Sequence, residues 1–348
     1  MITTTYAGLA YLIAAMLFIF GLKGLSHPRS AVRGNLLGAL GMLLAIVVTL
    51  LRQSILNPEL LLVGLLAGAL VGSLLALRIK MTAMPQLVGL FNGFGGIASV
   101  LVAGAVLFQA TLGLVGGIAE AALPSIQERV ATAASALIGS VTFWGSLVAF
   151  AKLQSLLTEK PVRYAGEQVV KVVLLLGAIV VAVLLVLSPQ ELSLYWILAG
   201  IASLLGVLLV VPIGGADMPI VIALLNSYSG LAAAATGFVL NNSILIIAGS
   251  LVGASGIILT RIMCKAMNRS LSNVLFGGVG APIEESSEGD IYGGRIKQTS
   301  AEEVAMVLKS SQRVVIVPGY GMAVARAQTP VRVLTELLES DGGLVEFG

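Results

Sequence analysis

Two stretches hold the side chains that could do chemistry. The first, Asp217-Met-Pro-Ile-Val-Ile-Ala-Leu-Leu-Asn226-Ser-Tyr-Ser-Gly230, repeats an earlier stretch, Ala83-Met-Pro-Gln-Leu-Val-Gly-Leu-Phe-Asn92-Gly-Phe-Gly-Gly96, at an offset of 134 residues. The copies share Met84/Met218, Pro85/Pro219, Leu90/Leu224, Asn92/Asn226, Gly96/Gly230 and Ala98/Ala232. Each reads as a helix with proline in its first turn and an amide about 10 Å further in, at 1.5 Å per residue. Hydrocarbon cannot satisfy an amide, so Asn92 and Asn226 need a protein partner or water. Internal repetition is how many membrane transport proteins build a site near the membrane interior; two helices packing through small residues and Asn is the plainer reading. The second stretch is a β-branched strand, Val314-Val-Ile-Val317, running into Gly319-Tyr320-Gly321-Met322-Ala323-Val324 and a helix. Gly at the first position allows a tight turn, Gly at the second lets backbone approach a pyrophosphate, and the helix N-terminus supplies amides and dipole.

Each repeated helix is followed by a return segment of small residues, Ile138-Gly-Ser140-Val-Thr-Phe-Trp-Gly-Ser146 and Ala248-Gly-Ser250-Leu-Val-Gly-Ala-Ser255-Gly256. Gly and Ser at this density let helix backbones approach closely. Their hydroxyls, with the two amides, would line a polar path through Asn92, Ser140, Asn226, Ser250 and Ser255. No Asp, Glu, Lys, Arg or His lies in 85–108, 130–151 or 218–260, so the usual proton carriers are missing from these helices. A titrating group would then come from another chain. The one histidine, His27, reads as a solvated loop residue, and no cluster of metal-ligand residue types is present. The single cysteine, Cys264, excludes an internal disulfide and reads as a free buried thiol.

What must position these residues is a membrane. Of 348 residues, 57% are hydrophobic and 11% charged, against about 25% charged in soluble domains. Apolar runs of spanning length fall at 6–25, 35–51, 60–77, 85–108, 130–151, 172–187, 194–211, 219–240 and 244–262, which predicts nine helices. The first run has no basic residue ahead of it and reads as an uncleaved span rather than a signal peptide. Alternate connections hold Lys23, Arg29, Arg33, Arg78, Lys80, Lys152, Lys160, Arg163, Lys171, Arg261, Lys265 and Arg269 on one side, and only Arg52 and Arg129 on the other. By the positive-inside rule the N-terminus is outside and everything after residue 262 is cytoplasmic. Both repeat copies then run outward from the cytoplasmic face, so the repeat is parallel. Tyr195 and Trp196 fall at the outer end of the seventh helix, where aromatic belts sit. The net charge of +3 carries no basic stripe with interleaved aromatics, so nucleic acid is not expected as a partner.

Beyond the ninth helix, 271–299 reads as a flexible acidic linker around Glu284-Glu-Ser-Ser-Glu-Gly-Asp290. Thr299-Ser-Ala-Glu-Glu303 supplies an N-cap and capping box for a helix to Ser310. After the glycine loop a helix continues to Ser340, Gly342-Gly343 stops it, and Leu344-Val-Glu-Phe347 opens a second strand. Two strands cannot make a doubly wound sheet. The expected fold is a polytopic α-helical membrane domain of nine helices with a parallel repeat, followed by the beginning of an α/β Rossmann-like domain, truncated at residue 348. The domains are 1–270, 271–299 and 300–348.

At Pro318-Gly-Tyr-Gly-Met-Ala-Val-Ala-Arg-Ala-Gln328 the sequence resembles the β subunit of the proton-translocating NAD(P) transhydrogenases. The resemblance extends to Gly214-Gly-Ala-Asp-Met-Pro219, Leu225-Asn-Ser-Tyr-Ser-Gly230 and Ile262-Met-Cys-Lys-Ala-Met-Asn-Arg269, and to the order of parts. It implies a bacterial inner-membrane enzyme binding NADP(H), with an α subunit that carries NAD(H) and further transmembrane helices, as a dimer of αβ units. It implies that Gly319, Tyr320, Gly321, Met322, Ala323 and Val324 hold NADP(H). Asp217, Lys265 and Arg269 would couple that domain to the membrane, and Asn226 would belong to the proton path. No residue of this chain would do direct hydride chemistry. Several family members carry His where this chain has Asn92, so a partner helix would supply the titrating group, and Arg326 stands where Gln is usual. The family's 2′-phosphate contacts would lie past residue 348, so this stretch alone would hold NADP(H) weakly. Two rivals stand beside this reading: a secondary transporter of a small polar solute with a nucleotide-sensing segment, and an assembly scaffold with no path of its own.

Overall fold

In the computed structural model the described residues are 4–25, 27, 29–52, 58–80, 83–111, 124–158, 160–276, 299–319, 321–322 and 327–348. They divide into two units, Met1–Val279 and Gly280–Gly348.

The first unit is helical throughout. Its long helices are α1 (Thr4–Leu25), α2 (Ala31–Arg52), α3 (Pro58–Arg78), α4 (Met84–Thr111), α5 (Ile126–Leu153), α6 (Glu167–Leu187), α7 (Leu192–Val210), α8 (Met218–Val239) and α9 (Ser243–Ala266). Among the described residues, these nine are long and apolar enough to cross a membrane. Pro85 and Pro219 stand in the first turns of α4 and α8 as expected, where a missing N–H removes no intrahelical bond. Helix α6 starts five residues before the apolar run, because Glu167 pairs with Lys171 one turn on and both are buried or nearly so. Leu271–Phe276, expected as the start of the linker, forms a short helix, α10, whose Val274 is buried. Residues 277–298 of the expected linker lie outside the described residues.

Helix α5 is the hub, packing on α4, α6, α7 and α8, whereas α9 packs chiefly on α8 and touches α1. One apolar cluster joins α4, α5, α6 and α7 around Val100, Ala136, Leu185 and Leu198. A second, around Val148, Ile213, Met218, Val221 and Cys264, gathers the ends of α5, α7 and α9 about the start of α8. Cys264 is free and buried, as expected. Tyr195 departs from the aromatic-belt expectation. It is fully buried, its hydroxyl donates to Val100 O at 2.5 Å, and its ring lies against Gly104, where a Cβ would stand 2.9 Å from Cε1. Glycine on α4 opens the slot that the ring fills; Trp196 remains exposed.

The second unit carries α11 (Ala301–Ser310), β1 (Arg313–Ile316), α12 (Gln328–Ser340) and β2 (Leu344–Phe347). Ser300 caps α11 by accepting from Glu303 N, while the Glu303 carboxylate accepts from the Thr299 hydroxyl. The strands pair in parallel with Arg313 opposite Leu344 and Ile316 opposite Phe347, and Arg313 bridges to Glu346. Gly342, at φ 87, makes the left-handed turn that ends α12. This is one βαβ unit.

Candidate functional site

The foot of α8 is built by the link from α7. A 3-10 turn, Gly215–Asp217, leads into the helix, and Asp217 occupies the cap position without capping by its side chain. One of its carboxylate oxygens, Oδ1, is buried, accepts no hydrogen bond, and stands 3.6 Å from Arg269 Nε. Arg269 is brought there by the end of α9. Asn268 adopts φ 50, and Arg269 N donates back to Cys264 O at 2.9 Å. Chain reversal through a left-handed residue satisfies the last carbonyls of a helix and turns the next side chain toward the neighbouring helix. Two of the three expected coupling residues therefore meet. Lys265 is exposed and is not drawn into the pair.

The two repeat copies touch each other. Asn92 is buried, and its Nδ2 donates to Ile222 O at 3.3 Å. Ile222 lies one turn before Asn226, so the bond joins α4 to α8 at the level of the second amide. Gly95 and Ser229, equivalent at the repeat offset, face each other, and a Cβ on Gly95 would lie 2.6 Å from Ser229 Oγ. Meeting of equivalent residues is what an axis along the membrane normal produces in a parallel repeat. The helix pairs agree as well. Gly96 meets Gly139 O, and the equivalent Gly230 meets Gly249 O, with Cβ positions 2.6 and 2.8 Å from those oxygens.

The environments of equivalent residues nevertheless differ. Asn226 is half-buried, and its side chain makes no hydrogen bond among the described residues. Ser140 is buried; its equivalent Ser250 is exposed. Ser255 turns its hydroxyl to Val252 O at 2.9 Å. Ser250 and Ser255 stand about 140° apart around α9 at 3.6 residues per turn, so the two face different surroundings, Ser250 on an exposed side of this chain.

Three polar residues absent from the sequence expectation belong to the same region. Ser146 Oγ is buried without a partner and its Cβ would lie 3.2 Å from one on Gly93, beside Asn92. Gln86 donates to Leu153 O at 3.2 Å, leaving its Oε1 buried and unpaired. Lys152 is almost wholly buried, with Nζ on backbone carbonyls of the α7–α8 link. Ser146 lay in the noted small-residue segment, but its hydroxyl resembles its neighbours there. Lys152 reads in sequence as one more cytoplasmic charge. By contrast, the crevice of about 370 Å³ between α6 and α8 is mostly apolar, with Leu175, Leu209 and Leu224 in its wall and Gln168, Lys171 and Tyr228 as its polar lining. His27 is exposed, in keeping with a loop residue, and no group of three His, Cys, Asp or Glu among the described residues could hold a metal ion.

In the second unit, β1 leads through Pro318 to Gly319, and Met322 N donates to Gly319 O at 3.1 Å, closing a turn. A Cβ on Gly319 or Gly321 would meet nothing within 4 Å, so both positions border open space, as a phosphate held by backbone amides requires. Tyr320, Ala323 and Val324 lie outside the described residues. Gly321 and Met322 are helical and α12 spans Gln328–Ser340, while residues 323–326 lie outside the described residues.

Sequence comparison matches nearly the whole chain to one family. A family model described as NAD(P) transhydrogenase beta subunit matches residues 7–348. Two curated relatives from Rhodospirillum rubrum, each named NAD(P) transhydrogenase subunit beta, are 44% identical over 342 residues, covering 97% of this chain and 72% of the relative. With nine candidate spans, a repeated Met-Pro helix bearing a buried amide, and a glycine loop after a β-strand, the chain belongs to the NAD(P) transhydrogenase beta subunit family.

Proposed function

We propose that this chain is the membrane subunit of a proton-pumping transhydrogenase. Hydride passes between NADP(H) at Gly319–Val324 and NAD(H) on a partner alpha subunit while a proton crosses the membrane. The hydride carries its electron pair, so one nicotinamide is oxidised as the other is reduced, and no side chain of this chain enters that exchange. Residues 1–270 form the proton-translocating domain, 271–299 the linker and 300–348 the first part of an α/β NADP(H) domain. The positive-inside count supports a cytoplasmic C-terminal domain and an external N-terminus; the family resemblance supports a bacterial inner membrane and αβ units assembling as dimers.

The observation that carries the mechanism is the Asn92–Ile222 hydrogen bond, which ties two repeat helices together just where one of them presents a free amide. Asn92, Ser140 and Asn226 line the polar path, with Ser255 at its flank and the proton carrier supplied by a partner helix. At the foot of α8, Asp217 and Arg269 are close enough to attract but too far apart for a hydrogen bond, and Lys265 stands exposed one turn away. Coupling through this pair requires two states of it, one with carboxylate and guanidinium together and one with them apart. A ligand shifts that balance only by binding the two states unequally, so the redox state of the nicotinamide must change the charge or contacts presented to Arg269 and Lys265.

The test uses the complete chain co-assembled with its alpha subunit in vesicles, driven with NADPH and an NAD⁺ analogue while lumenal pH is followed. Hydride transfer accompanied by a pH change is expected. Hydride transfer without one would overturn the coupled reading.

A further inference from the structure

Lys152 sits in the last turn of α5 and is 1% exposed. Its ammonium donates to Val211 O at 2.5 Å and Ile213 O at 2.8 Å, with Lys160 O at 3.4 Å. No carboxylate among the described residues pairs with it. Val211 caps the C-terminus of α7, where unpaired carbonyls attract a cation. Ile213 lies in the link that leads, four residues on, to Asp217. One side chain therefore fixes the course of this link. A buried ammonium without a counter-ion is expensive to keep, and three carbonyls are what it obtains in return.

The adjacent residue of α5 holds the other repeat helix: Leu153 O accepts from Gln86 Nε2, two residues into α4. The feet of α4 and α8 are thus tied to consecutive positions of a single helix. At the end of that chain of contacts is a pair whose own geometry does not lock it, since Asp217 Oδ1 has no hydrogen bond and reaches Arg269 only at 3.6 Å. Where Asp217 stands is set by the link before it.

We infer that Lys152 is a positioning residue for proton coupling, holding the α7–α8 link so that Asp217 faces Arg269 and the feet of α4 and α8 move as one with the end of α5. This rests on the transhydrogenase reading for its activity arm, and the experiment has a second arm that does not. In the complete chain assembled with its alpha subunit, Lys152→Met is expected to lower protons moved per hydride transferred at least fivefold, and Lys152→Arg, which keeps donors for the carbonyls, to retain at least half. Lys152→Met combined with Asp217→Asn should lose no more than Asp217→Asn alone, because residues acting through one contact are not additive. In a Cys264→Ser background, Ala216→Cys should react with a water-soluble maleimide at least threefold faster once Lys152 is Met. If Lys152→Met does not accumulate in the membrane, Lys152→Gln, which keeps a donor for one carbonyl, is read in the same way. A wild-type proton-to-hydride ratio in the variant, or losses that multiply in the double variant, would overturn the assignment. Faster labelling in an enzyme whose parent moves no protons would leave Lys152 holding the link and remove the transhydrogenase reading instead.

Discussion

Asn92 and Asn226 come from one motif written twice, and their surroundings give them different duties. Asn92 spends its amide on a carbonyl of the other copy, so replacing it by Leu removes an interhelical bond worth about 1 kcal/mol or less and should lower the thermal midpoint of the detergent-solubilised protein. Asn226 has no such bond to lose. Asn226→Leu should leave that midpoint unchanged while stopping proton translocation and slowing coupled hydride transfer in the assembled enzyme; undiminished pumping in vesicles would remove Asn226 from the path. At this scale the residue types were legible, because an amide at a fixed distance from a repeated proline stands out in an apolar run. The partners were not. A serine's rotation about its helix is invisible until the neighbours are placed: Ser140 is buried while its equivalent Ser250 is exposed.

Helices α8 and α9 cross with almost no space between them. A Cβ on Gly230 would lie 2.4 Å from Gly253 N and 2.8 Å from Gly249 O, and backbone atoms cannot swing aside as a side chain would. Gly230→Val should therefore force the pair apart at a cost of about 1–3 kcal/mol, read as a lower thermal midpoint and a loss of coupled activity together. The same change at Gly177 of α6, where a Cβ meets nothing, should be silent in both assays. Spans and repeat were legible as elements because hydrocarbon forces helices of about 20 residues. Helix α10 was not, since a six-residue helix has too little length to be stable by itself and exists through the packing of Val274 against α8 and α9.

Across the whole molecule the charges follow one side. With Cys264 replaced by Ser, a cysteine at Gln190 between α6 and α7 should react with a membrane-impermeant maleimide from outside the cell, and one at Leu157 between α5 and α6 only after permeabilisation; the reverse pattern would invert the proposed orientation. The sequence alone determined the class of protein, the nine candidate spans among the described residues, the repeated motif and the glycine pattern, because each follows from local composition, periodicity or self-similarity under the constraints of a bilayer. Tertiary structure alone decided that Asn92 is buried and Asn226 is not, that Asp217 meets Arg269 while Lys265 stays out, that Tyr195 fills a slot on α4, and that Lys152 turns inward. Those outcomes depend on which helices become neighbours, and α5 packs against α4, α6, α7 and α8 where its repeat equivalent α9 packs chiefly on α8.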